Sequence, residues 1–586
     1  MGTGNDEKAM ISVQPLATEQ PSWQSAPAAT TPQRDAPRRS ARQPGVAGYL
    51  RHLFSREAWL GDYDFGTLCM PRLRPWARNG GSGASSAAPF YGVHDDLPIT
   101  LAAICGFQHA LAMLGGLITP PILIASAANL PSEQQSYLIS ASLITSGILS
   151  AIQMSAIPLP FGRQLGTGLL SVVGTSFATL STATSIIDNL YKDGTCPVVD
   201  GVRQACPEAY GYILGTSAVC SLLEIFLALL PPRVLRRMFP PVITGVVVML
   251  IGINLIGDSA LPSFGGGSAC QSTDSPCPLP RSYLWGDAHY LGLAFFSFIT
   301  IIIVEIFGSP AMRNASIILG LLLPLAVAGP LGYMSGADIK SAKAITFLWV
   351  ETFPLKVYGP AVLPLLAVYV ALMMEAIGDI TATSEVSKVE VEGPNYDRRI
   401  SGGVLADGIG GLLSALLTIT PLSVFAQNNG VIAITRCANV RAGRWTSFWL
   451  ILFGIIGKLA GCVLEIPAPV LGGVLLFLFS SILVSGLRVV AMVKFTRRVR
   501  FVLATSFSLG MTGMMADGLW ERLFTYGGDN KALRGFLDSI VIVLSTPFLL
   551  AAIAGIVANL ILPRDPEDDD VDRESYRDEE DKVLRA

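Results

Sequence analysis

The sequence predicts an all-α polytopic membrane protein whose fourteen transmembrane segments form two inverted repeats of seven. Its 586 residues are 51% hydrophobic and 15% charged, and the mean hydropathy is +0.51. This composition is typical of membrane proteins rather than soluble domains. From Leu97 onward, hydrophobic segments follow one another almost without a break. Two segments at corresponding places in the two halves are polar and interrupted, which is the observation that predicts the repeat.

Both ends of the chain are predicted to be cytosolic tails. Residues 1–95 contain no run of about 18 apolar residues and are rich in Pro, Ser, Gly, Ala and Arg, so we expect them to be largely disordered. They also lack the apolar core and cleavage site of a signal peptide. Residues 563–586 are acidic and are expected to behave similarly.

The hydrophobic segments divide into two halves, at 96–334 and 361–562, with an extracellular connection at 335–360. An odd number of segments in each half inserts the second half upside down relative to the first. The predicted spans are 99–119, 134–155, 167–187, 209–231, 239–257, 287–308, 315–334, 361–381, 402–419, 429–435 with an extended lead-in, 446–464, 467–486, 499–516 and 538–562.

The distribution of Lys and Arg predicts that both termini are cytoplasmic. Under that orientation the cytosolic loops carry more Lys and Arg than the outer loops, with dense groups at 233–237 and 488–500. The same orientation places Cys196 and Cys206 in one outer loop, and Cys270 and Cys277 in another. An oxidising exterior permits disulfide bridges there, so we expect one within each loop.

The interrupted spans predict where a substrate binds. They are the third span of each half, at 171–178 and 422–430. Backbone that is not helical survives at membrane depth only inside protein or beside a water-filled cavity. Broken segments at corresponding places in two halves are typical of the midplane site of a secondary transporter, whereas a channel needs no such pairing.

The second interruption is unusually polar, with three consecutive amides at Gln427, Asn428 and Asn429 followed by Gly430. We expect Gly430 to loosen the chain, so that 431–435 forms a short helix whose first turn points unpaired N–H groups toward Gln427. The planar Gln427 amide suits a flat ring bearing carbonyls and N–H groups. The alternative is that these amides only hold helices together, as interhelical amides commonly do.

Ionisable side chains within spans are costly and usually mark a transport pathway. His109 follows Gln108 in the first span, and Glu375 and Asp379 lie one turn apart in the first span of the second half. Asp407 lies in the next helix. The alternative for His109 is a core histidine bonded to a carbonyl, and for Glu375 an ion pair with Lys458.

Three further acids, Glu224, Glu305 and Glu465, fall nearer the ends of spans. An interfacial position is sufficient to explain them. We therefore predict no role for them in transport.

Other functional classes find no support in the sequence. It contains no metal-ligand cluster, no His-Glu-x-x-His motif, no nucleophile–base pair and no cofactor fingerprint, so neither an enzyme nor a bound cofactor is predicted. It also lacks a basic domain or a reading motif for nucleic acid.

The run Gln427-Asn428-x-Gly430-x-x-x-x-Thr435-Arg436 resembles the signature of the nucleobase–ascorbate transporter family. Gln108-His109 is similar to that family's second motif, and Glu375 and Asp407 fall where the family places its acids. The resemblance covers about 95–562 and is greatest to fungal uric acid–xanthine permeases. It implies a core domain of spans 1–4 and 8–11, a gate domain of spans 5–7 and 12–14, and a homodimer formed by the gate domains.

The resemblance also implies roles for individual residues. Glu375 and Gln427 would hold the polar edges of a purine, while the backbone at Phe177 and Ala426 completes the site. Thr546 and Phe548 would filter substrates from the gate domain, although a Pro-kinked helix explains Thr546-Pro547-Phe548 equally well. The signature is completed by Gly430, Thr435 and Arg436. The residues expected to support the site and the proton path are Asp407, His109, Gln108, Asp379, Asn428 and Asn429.

We therefore predict a proton-coupled plasma-membrane symporter that imports uric acid and xanthine by elevator-type alternating access. Its expected partners are the purine, protons, membrane lipid and a second copy of the chain. The alternatives are an anion exchanger or channel of the bicarbonate or sulfate kind, a purine permease of different base specificity, and a receptor that senses purines without moving them.

Overall fold

The computed structural model describes residues 90–199, 202–230, 240–267, 270–271, 276–277, 279–391, 393–425, 427–491, 493–516, 519–520, 523–524 and 531–563. Most of the two predicted tails lies outside these ranges, and so does the predicted site residue Ala426. Residues 90–93, at the end of the predicted N-terminal tail, lie along 436–440. Tyr91 N donates to Arg436 O at 2.9 Å, and Ala438 N donates to Tyr91 O at 2.9 Å.

The described chain is built mainly of helices. In chain order they are α1 (Ile99–Ala127), α2 (Ser132–Gln153), α3 (Phe177–Lys192), α4 (Pro207–Ala228), α5 (Pro241–Leu255), α6 (Leu261–Phe264), α7 (Ala288–Phe307), α8 (Pro310–Asn314), α9 (Ser316–Ala328), α10 (Ala337–Ser341), α11 (Gly359–Val386), α12 (Pro394–Leu416), α13 (Gln427–Thr435), α14 (Val440–Ile455), α15 (Gly457–Leu464), α16 (Ala468–Ala491), α17 (Arg497–Met515), α18 (Lys531–Ser545) and α19 (Pro547–Ile561).

Seven stretches of helix in the described residues are long and apolar enough to cross a membrane. They are α1, α2, α4, the continuous run Val242–Phe264 through α5 and α6, α7, α11 and α16. Two bent pairs raise the number to nine if each pair is one span: α14 with α15, bent by 75°, and α18 with α19, bent by 87°. The chain is therefore a multi-pass membrane protein, because helices of about 20 apolar residues match the hydrocarbon thickness of a bilayer.

Each predicted span overlaps a helix, or a strand followed by a helix, but the total of fourteen stays a prediction. Helix α9 has 13 residues, fewer than the roughly 17 that a simple crossing requires. One local expectation was wrong: α13 begins at Gln427 rather than at Val431. Gly430 lies inside this helix with an ordinary backbone conformation, so it does not interrupt the chain.

Three short two-stranded ladders complete the described fold. Strands β1 (Ile157–Pro158) and β2 (Gln164–Leu165) form one antiparallel pair, and β4 (Val198–Val199) and β5 (Val202–Arg203) form another. The third joins β3 (Val173–Thr175) to β6 (Leu422–Val424), which are about 250 residues apart in the chain. Its register pairs Gly174 with Ser423.

The two disulfide predictions are confirmed. Cys196 is bonded to Cys206, with Cα atoms 5.6 Å apart, and Cys270 is bonded to Cys277, with Cα atoms 5.0 Å apart.

Long helices pack in pairs that are distant in sequence: α2 along α14, α4 along α12, α5 along α16, and α17 along α19. Small residues permit close approach. A Cβ atom at Gly486 of α16 would lie 2.6 Å from Gly245 O of α5. Such contacts between small residues are the usual means by which helices pack tightly inside a membrane.

Candidate functional site

The site is organised by the β3–β6 ladder, where the two interrupted segments meet. All six strand residues are buried, and the pairing satisfies backbone groups that a bilayer could not. Two hydrogen bonds extend the ladder: Ser176 N donates to Pro421 O, and Phe425 N donates to Val172 O, both at 2.9 Å. Each strand leads directly into a helix, α3 or α13, so two helix N-termini lie beside one antiparallel crossing.

Aromatic rings lie immediately after both strands. Phe177, the first residue of α3, stacks on Phe425 with ring centroids 6.2 Å apart and planes inclined by 17°. Phe177 also makes an edge contact with Phe479 of α16 at 5.4 Å. The Phe425 ring fills the space over Gly174, where an added Cβ atom would lie 2.3 Å from the ring. The ring of Phe177 thus adds an apolar surface at the start of α3, while a contact of its backbone with substrate stays a prediction.

Gln427 and Glu375 are two half-buried polar side chains at the site. Gln427 is the first residue of α13, Glu375 lies in the middle of α11, and both are half-buried. Within the described part of the chain, neither side chain forms a hydrogen bond, although their immediate neighbours are bonded. Glu375 interacts electrostatically with Asp379 and Asp407. Both side chains are therefore available to a ligand.

Asn428 ties α13 to the first half of the chain. Its Nδ2 donates to Leu170 O at 2.6 Å, and its Oδ1 lies 2.9 Å from His109 Nδ1. Because Asn428 donates from the other atom, His109 must donate from Nδ1. His109 Nε2 is then a buried acceptor that no described group satisfies. His109 is fully buried, and its partner is the side-chain carbonyl oxygen of Asn428, which agrees with the alternative of a core histidine bonded to a carbonyl.

Asn429 ties α13 to α11. Thr383 Oγ1 lies 2.6 Å from Asn429 Oδ1 and 2.7 Å from the backbone oxygen of Asp379. Asp379 is 7% exposed. This contact fixes the start of α13 against the helix that carries Glu375.

Asp407, on α12, is 2% exposed, and its Oδ2 accepts a hydrogen bond from Ser423 Oγ at 3.3 Å. It therefore supports β6 directly. Its carboxyl group also contacts the carboxyl group of Glu224 on α4. The interfacial position predicted for Glu224 was wrong, because this side chain is 1% exposed.

Gln108 lies at a second junction. Asn314 Nδ2, at the end of α8, donates to Gln108 Oε1 at 2.9 Å, and both residues are buried. The sequence pointed to Gln108 but not to Asn314. Only the contact of α8 with α1 and α13 reveals this partner.

The remaining signature residues have different surroundings. Thr435 Oγ1 donates to Val431 O at 2.7 Å, a bond within α13. Arg436 ends the helix with a φ of +56° and lines a cavity of about 360 Å³ that also contacts Glu385 and Arg488. Gly430 is exposed, and an added Cβ atom there would meet nothing within 4 Å.

Thr546 and Phe548 lie at the bend between α18 and α19. Thr546 Oγ1 donates to Ile542 O at 2.8 Å, and Phe548 is fully buried in the apolar core. This is the surrounding expected of a Pro-kinked helix. A role for either residue in filtering substrates stays a prediction.

A buried crossing of two broken segments, with free polar side chains at a helix start, is the arrangement found in secondary transporters. A family model described as "Permease family" matches residues 101–519. The chain is a transporter and not an enzyme. It belongs to the nucleobase–ascorbate transporter family, as its signature indicated.

Curated relatives match along most of their length. The chain is 48% identical over 538 residues to "Purine permease" of Emericella nidulans, covering 89% of this chain and 91% of the relative. It is 45% identical over 539 residues to "Uric acid-xanthine permease" of the same organism, covering 91% and 92%. Among solved structures, the transmembrane domain of the cyanobacterial bicarbonate transporter BicA is similar, with 14% identity, a TM-score of 0.46, and 80% and 99% of the two chains covered.

Proposed function

We propose that this permease imports xanthine and uric acid together with protons across the plasma membrane. The observation that carries the proposal is the pair of half-buried side chains, Gln427 and Glu375, whose polar atoms are free beside the β3–β6 crossing. The names of the fungal relatives, a purine permease and a uric acid–xanthine permease, support the substrate class.

The chemistry of the free side chains fits an oxidised purine. Xanthine and uric acid are flat rings whose edges alternate N–H donors and carbonyl acceptors. The Gln427 amide offers a donor and an acceptor in one plane. A protonated Glu375 offers the same pair, and Phe177 at the start of α3 offers an apolar surface on which a ring can lie. Backbone N–H groups at the two helix starts add donors for carbonyl oxygens.

We further propose the transport cycle that the family resemblance implies. Fourteen spans in a 7+7 inverted repeat would form a core and a gate, and the core would carry the substrate past the gate. The antiparallel β3–β6 pairing supports this arrangement, since it joins corresponding segments of the two halves in opposite directions. The gate domains of two copies would form a homodimer, and both termini would lie in the cytoplasm.

Proton coupling would supply the driving force. One positive charge that crosses a potential of 100 mV releases about 2.3 kcal/mol, enough for roughly fifty-fold accumulation before any pH gradient is added. For the urate anion, one accompanying proton makes transport electroneutral, so only the pH gradient and the substrate gradient drive it. Acidic groups that bind and release protons are therefore required near the substrate.

Uptake assays test the proposal. The full chain is expressed in cells that lack their own purine permeases, and uptake of labelled xanthine is measured with and without a protonophore and with an excess of unlabelled purines, bicarbonate or sulfate. We expect xanthine and uric acid to compete and the protonophore to abolish accumulation. Competition by bicarbonate or sulfate alone would contradict the substrate class, and accumulation that survives the protonophore would contradict proton coupling.

A further inference from the structure

Glu224 of α4 is buried against α12, where a charged side chain has no solvent to reach. The two helices approach so closely that a Cβ atom on Gly408 of α12 would lie 2.9 Å from Ile225 N and 3.2 Å from Glu224 Cγ. Asp407 precedes Gly408 in α12 and acts on the carboxyl group of Glu224. The exposed fractions of Glu224 and Asp407 are 1% and 2%. A buried charge that has no partner is strongly destabilising.

The contact between Glu224 and Asp407 requires a proton. An ionised carboxyl group has no hydrogen to donate and can only accept hydrogen bonds. Two carboxyl groups can therefore share a hydrogen bond only if one of them carries an O–H group. Glu224 Oε1 and Asp407 Oδ1 receive no hydrogen bond from any donor in the described residues. A proton between the two side chains satisfies these oxygens and removes one of the two charges.

No cation takes the place of that proton among the described groups that act on the pair. The neighbouring helix α11 contributes a phenol and two further acids, and α4 contributes a thiol near the phenol. The titratable groups that interact with the pair are Tyr369, Glu375 and Asp379, and Cys220 interacts with Tyr369. None of these groups can neutralise two carboxylates, so a single proton remains the available counter-charge.

The pair is connected to the substrate site in two ways. Asp407 accepts a hydrogen bond from Ser423 of β6, the strand that leads into Gln427. It also interacts electrostatically with Glu375. A change in the charge of the pair therefore acts on the strand that positions α13 and on the acid predicted to bind the purine.

We propose that Glu224 and Asp407 form a proton-binding site that takes up one proton from the outer side and releases it inside during each transport cycle. The ligand of the site is H⁺, held as an O–H of one carboxyl group and hydrogen-bonded to the other. The inference rests on the proposed proton symport and assigns Glu224 as the partner that shares the proton. Release of the proton leaves two adjacent carboxylates, whose repulsion separates α4 from α12 and disturbs the Ser423 bond.

Proton flux tests the assignment directly. Purified protein is placed in proteoliposomes that contain a pH-sensitive dye, and the proton influx per imported xanthine is measured. We expect one variant, Glu224→Gln, to lose the xanthine-driven proton influx, and its residual uptake to become independent of external pH. The matched control is Glu305→Gln, the same change at a half-buried acid of α7 that lies outside the pair, and it should keep the wild-type proton influx per xanthine.

The outcomes separate this assignment from the proposed function. An unchanged proton-to-xanthine ratio in Glu224→Gln overturns the assignment while proton symport stands. If the wild-type protein imports xanthine with no proton influx, the proposed symport fails. In that case, or if a variant reconstitutes poorly, the infrared measurement described next decides whether the pair still holds a proton.

Infrared spectroscopy reads the shared proton without any transport. The wild-type protein should show a C=O stretching band of a protonated carboxyl group that disappears at alkaline pH. Both Glu224→Gln and Asp407→Asn should lose one component of this band in a difference spectrum against the wild type, because an amide donates to the remaining carboxylate and no proton is needed. Other protonated carboxyl groups, such as that of Glu375, cancel in the difference. A difference spectrum that shows no such loss in either variant would overturn the proposal.

Discussion

Gln427, Asn428 and Asn429 are three consecutive amides whose tertiary contacts differ. Asn428 bonds His109 and Leu170, and Asn429 lies against Thr383. Gln427 alone forms no hydrogen bond to another described residue and is half-buried. Two of the amides therefore serve the structural role that the sequence alternative assigned to all three. Gln427 has no such partner, and we propose it as the side chain that recognises the substrate.

Replacing Gln427 with alanine should weaken transport by removing a hydrogen-bonding group from the site. We expect a loss of about 1–3 kcal/mol, equivalent to an increase of roughly 5- to 150-fold in the apparent Km for xanthine. Uptake kinetics should be measured at equal surface expression.

The control for this change is Gln135→Ala, at the start of α2, whose Nε2 donates to Leu130 O. It removes an amide from a loop contact and should leave the Km for xanthine unchanged. Equal Km values for the wild type and Gln427→Ala would show that this amide does not contact the purine.

Sequence reasoning at the residue scale could single out a polar side chain where it was anomalous in its own segment. Gln108, Glu375, Asp407 and Gln427 could be predicted because a bilayer makes each of them costly. Glu224 could not, since it lies one turn before the end of α4, and a span end admits an interfacial acid. Its burial depends on packing against α12, and that packing cannot be predicted from the residues of α4 alone.

At the scale of a secondary-structure element, helix α13 also shows that tertiary contacts limit what can be predicted from the sequence. A glycine after three amides predicted an interrupted chain, yet the helix runs through Gly430. Intrinsic propensity is a weak guide here, because contacts to α1 and α11 determine where the helix begins. The extended lead-in, in contrast, was predicted and is present as β6.

Two glycine-to-alanine changes should separate the effect of steric room for a Cβ atom from the effect of backbone flexibility. A Cβ atom at Gly430 meets nothing within 4 Å, so Gly430→Ala should raise the free energy of unfolding by about 0.5–1 kcal/mol. At Gly408 the same change places a Cβ atom 2.9 Å from Ile225 N, so Gly408→Ala should lower the free energy of unfolding by about 1–3 kcal/mol. Thermal unfolding of the purified variants measures both, and the reverse ranking would contradict the packing of α4 on α12.

Glu465 follows α15 and binds the backbone of the loop that leads into helix α10. Its Oε1 accepts from Gly336 N at 2.6 Å, and its Oε2 accepts from Asp338 N at 3.2 Å. Burial on its own would raise the pKa of Glu465, but hydrogen bonds from Gly336 and Ser335 outweigh it and hold the pKa below its usual value.

The stability that Glu465 contributes should therefore depend on pH. Because its pKa is depressed in the folded state, the contribution is present above the unfolded pKa of about 4.3 and is lost as pH falls through the lower folded value. Glu465→Gln should unfold at a lower temperature than the wild type at pH of about 7, and the difference should shrink in acid. A difference in unfolding temperature that does not change with pH would show that the ionised Glu465 carboxylate does not stabilise the loop before α10.

At the scale of the whole molecule, the bilayer makes much of the fold predictable. Backbone N–H and C=O groups must be hydrogen-bonded within each segment or inside the protein. Apolar runs therefore predict helices, and polar interruptions predict a buried crossing. The register of β3 on β6, the 75° and 87° bends and the short α9 could not be read from the sequence. They depend on packing between distant segments.

The predicted orientation can be tested through the two disulfides. Cys462 is the exposed free cysteine among the described residues, so a Cys462→Ser protein provides the background. After treatment with a membrane-impermeant reductant, an impermeant maleimide should label this protein in intact cells, and replacing the four loop cysteines with serine should abolish the labelling. Labelling that requires permeabilised cells would place the loops in the cytoplasm and reverse the topology.

The central claim is that a purine binds between Gln427 and Glu375, beside the crossing of β3 and β6. The most direct measurement is a cryo-electron microscopy map of the purified protein with xanthine. We predict planar density for the ring with one polar edge at the Gln427 amide and another at the Glu375 carboxyl group. Density for xanthine elsewhere in the protein, with these two side chains unoccupied, would contradict the account.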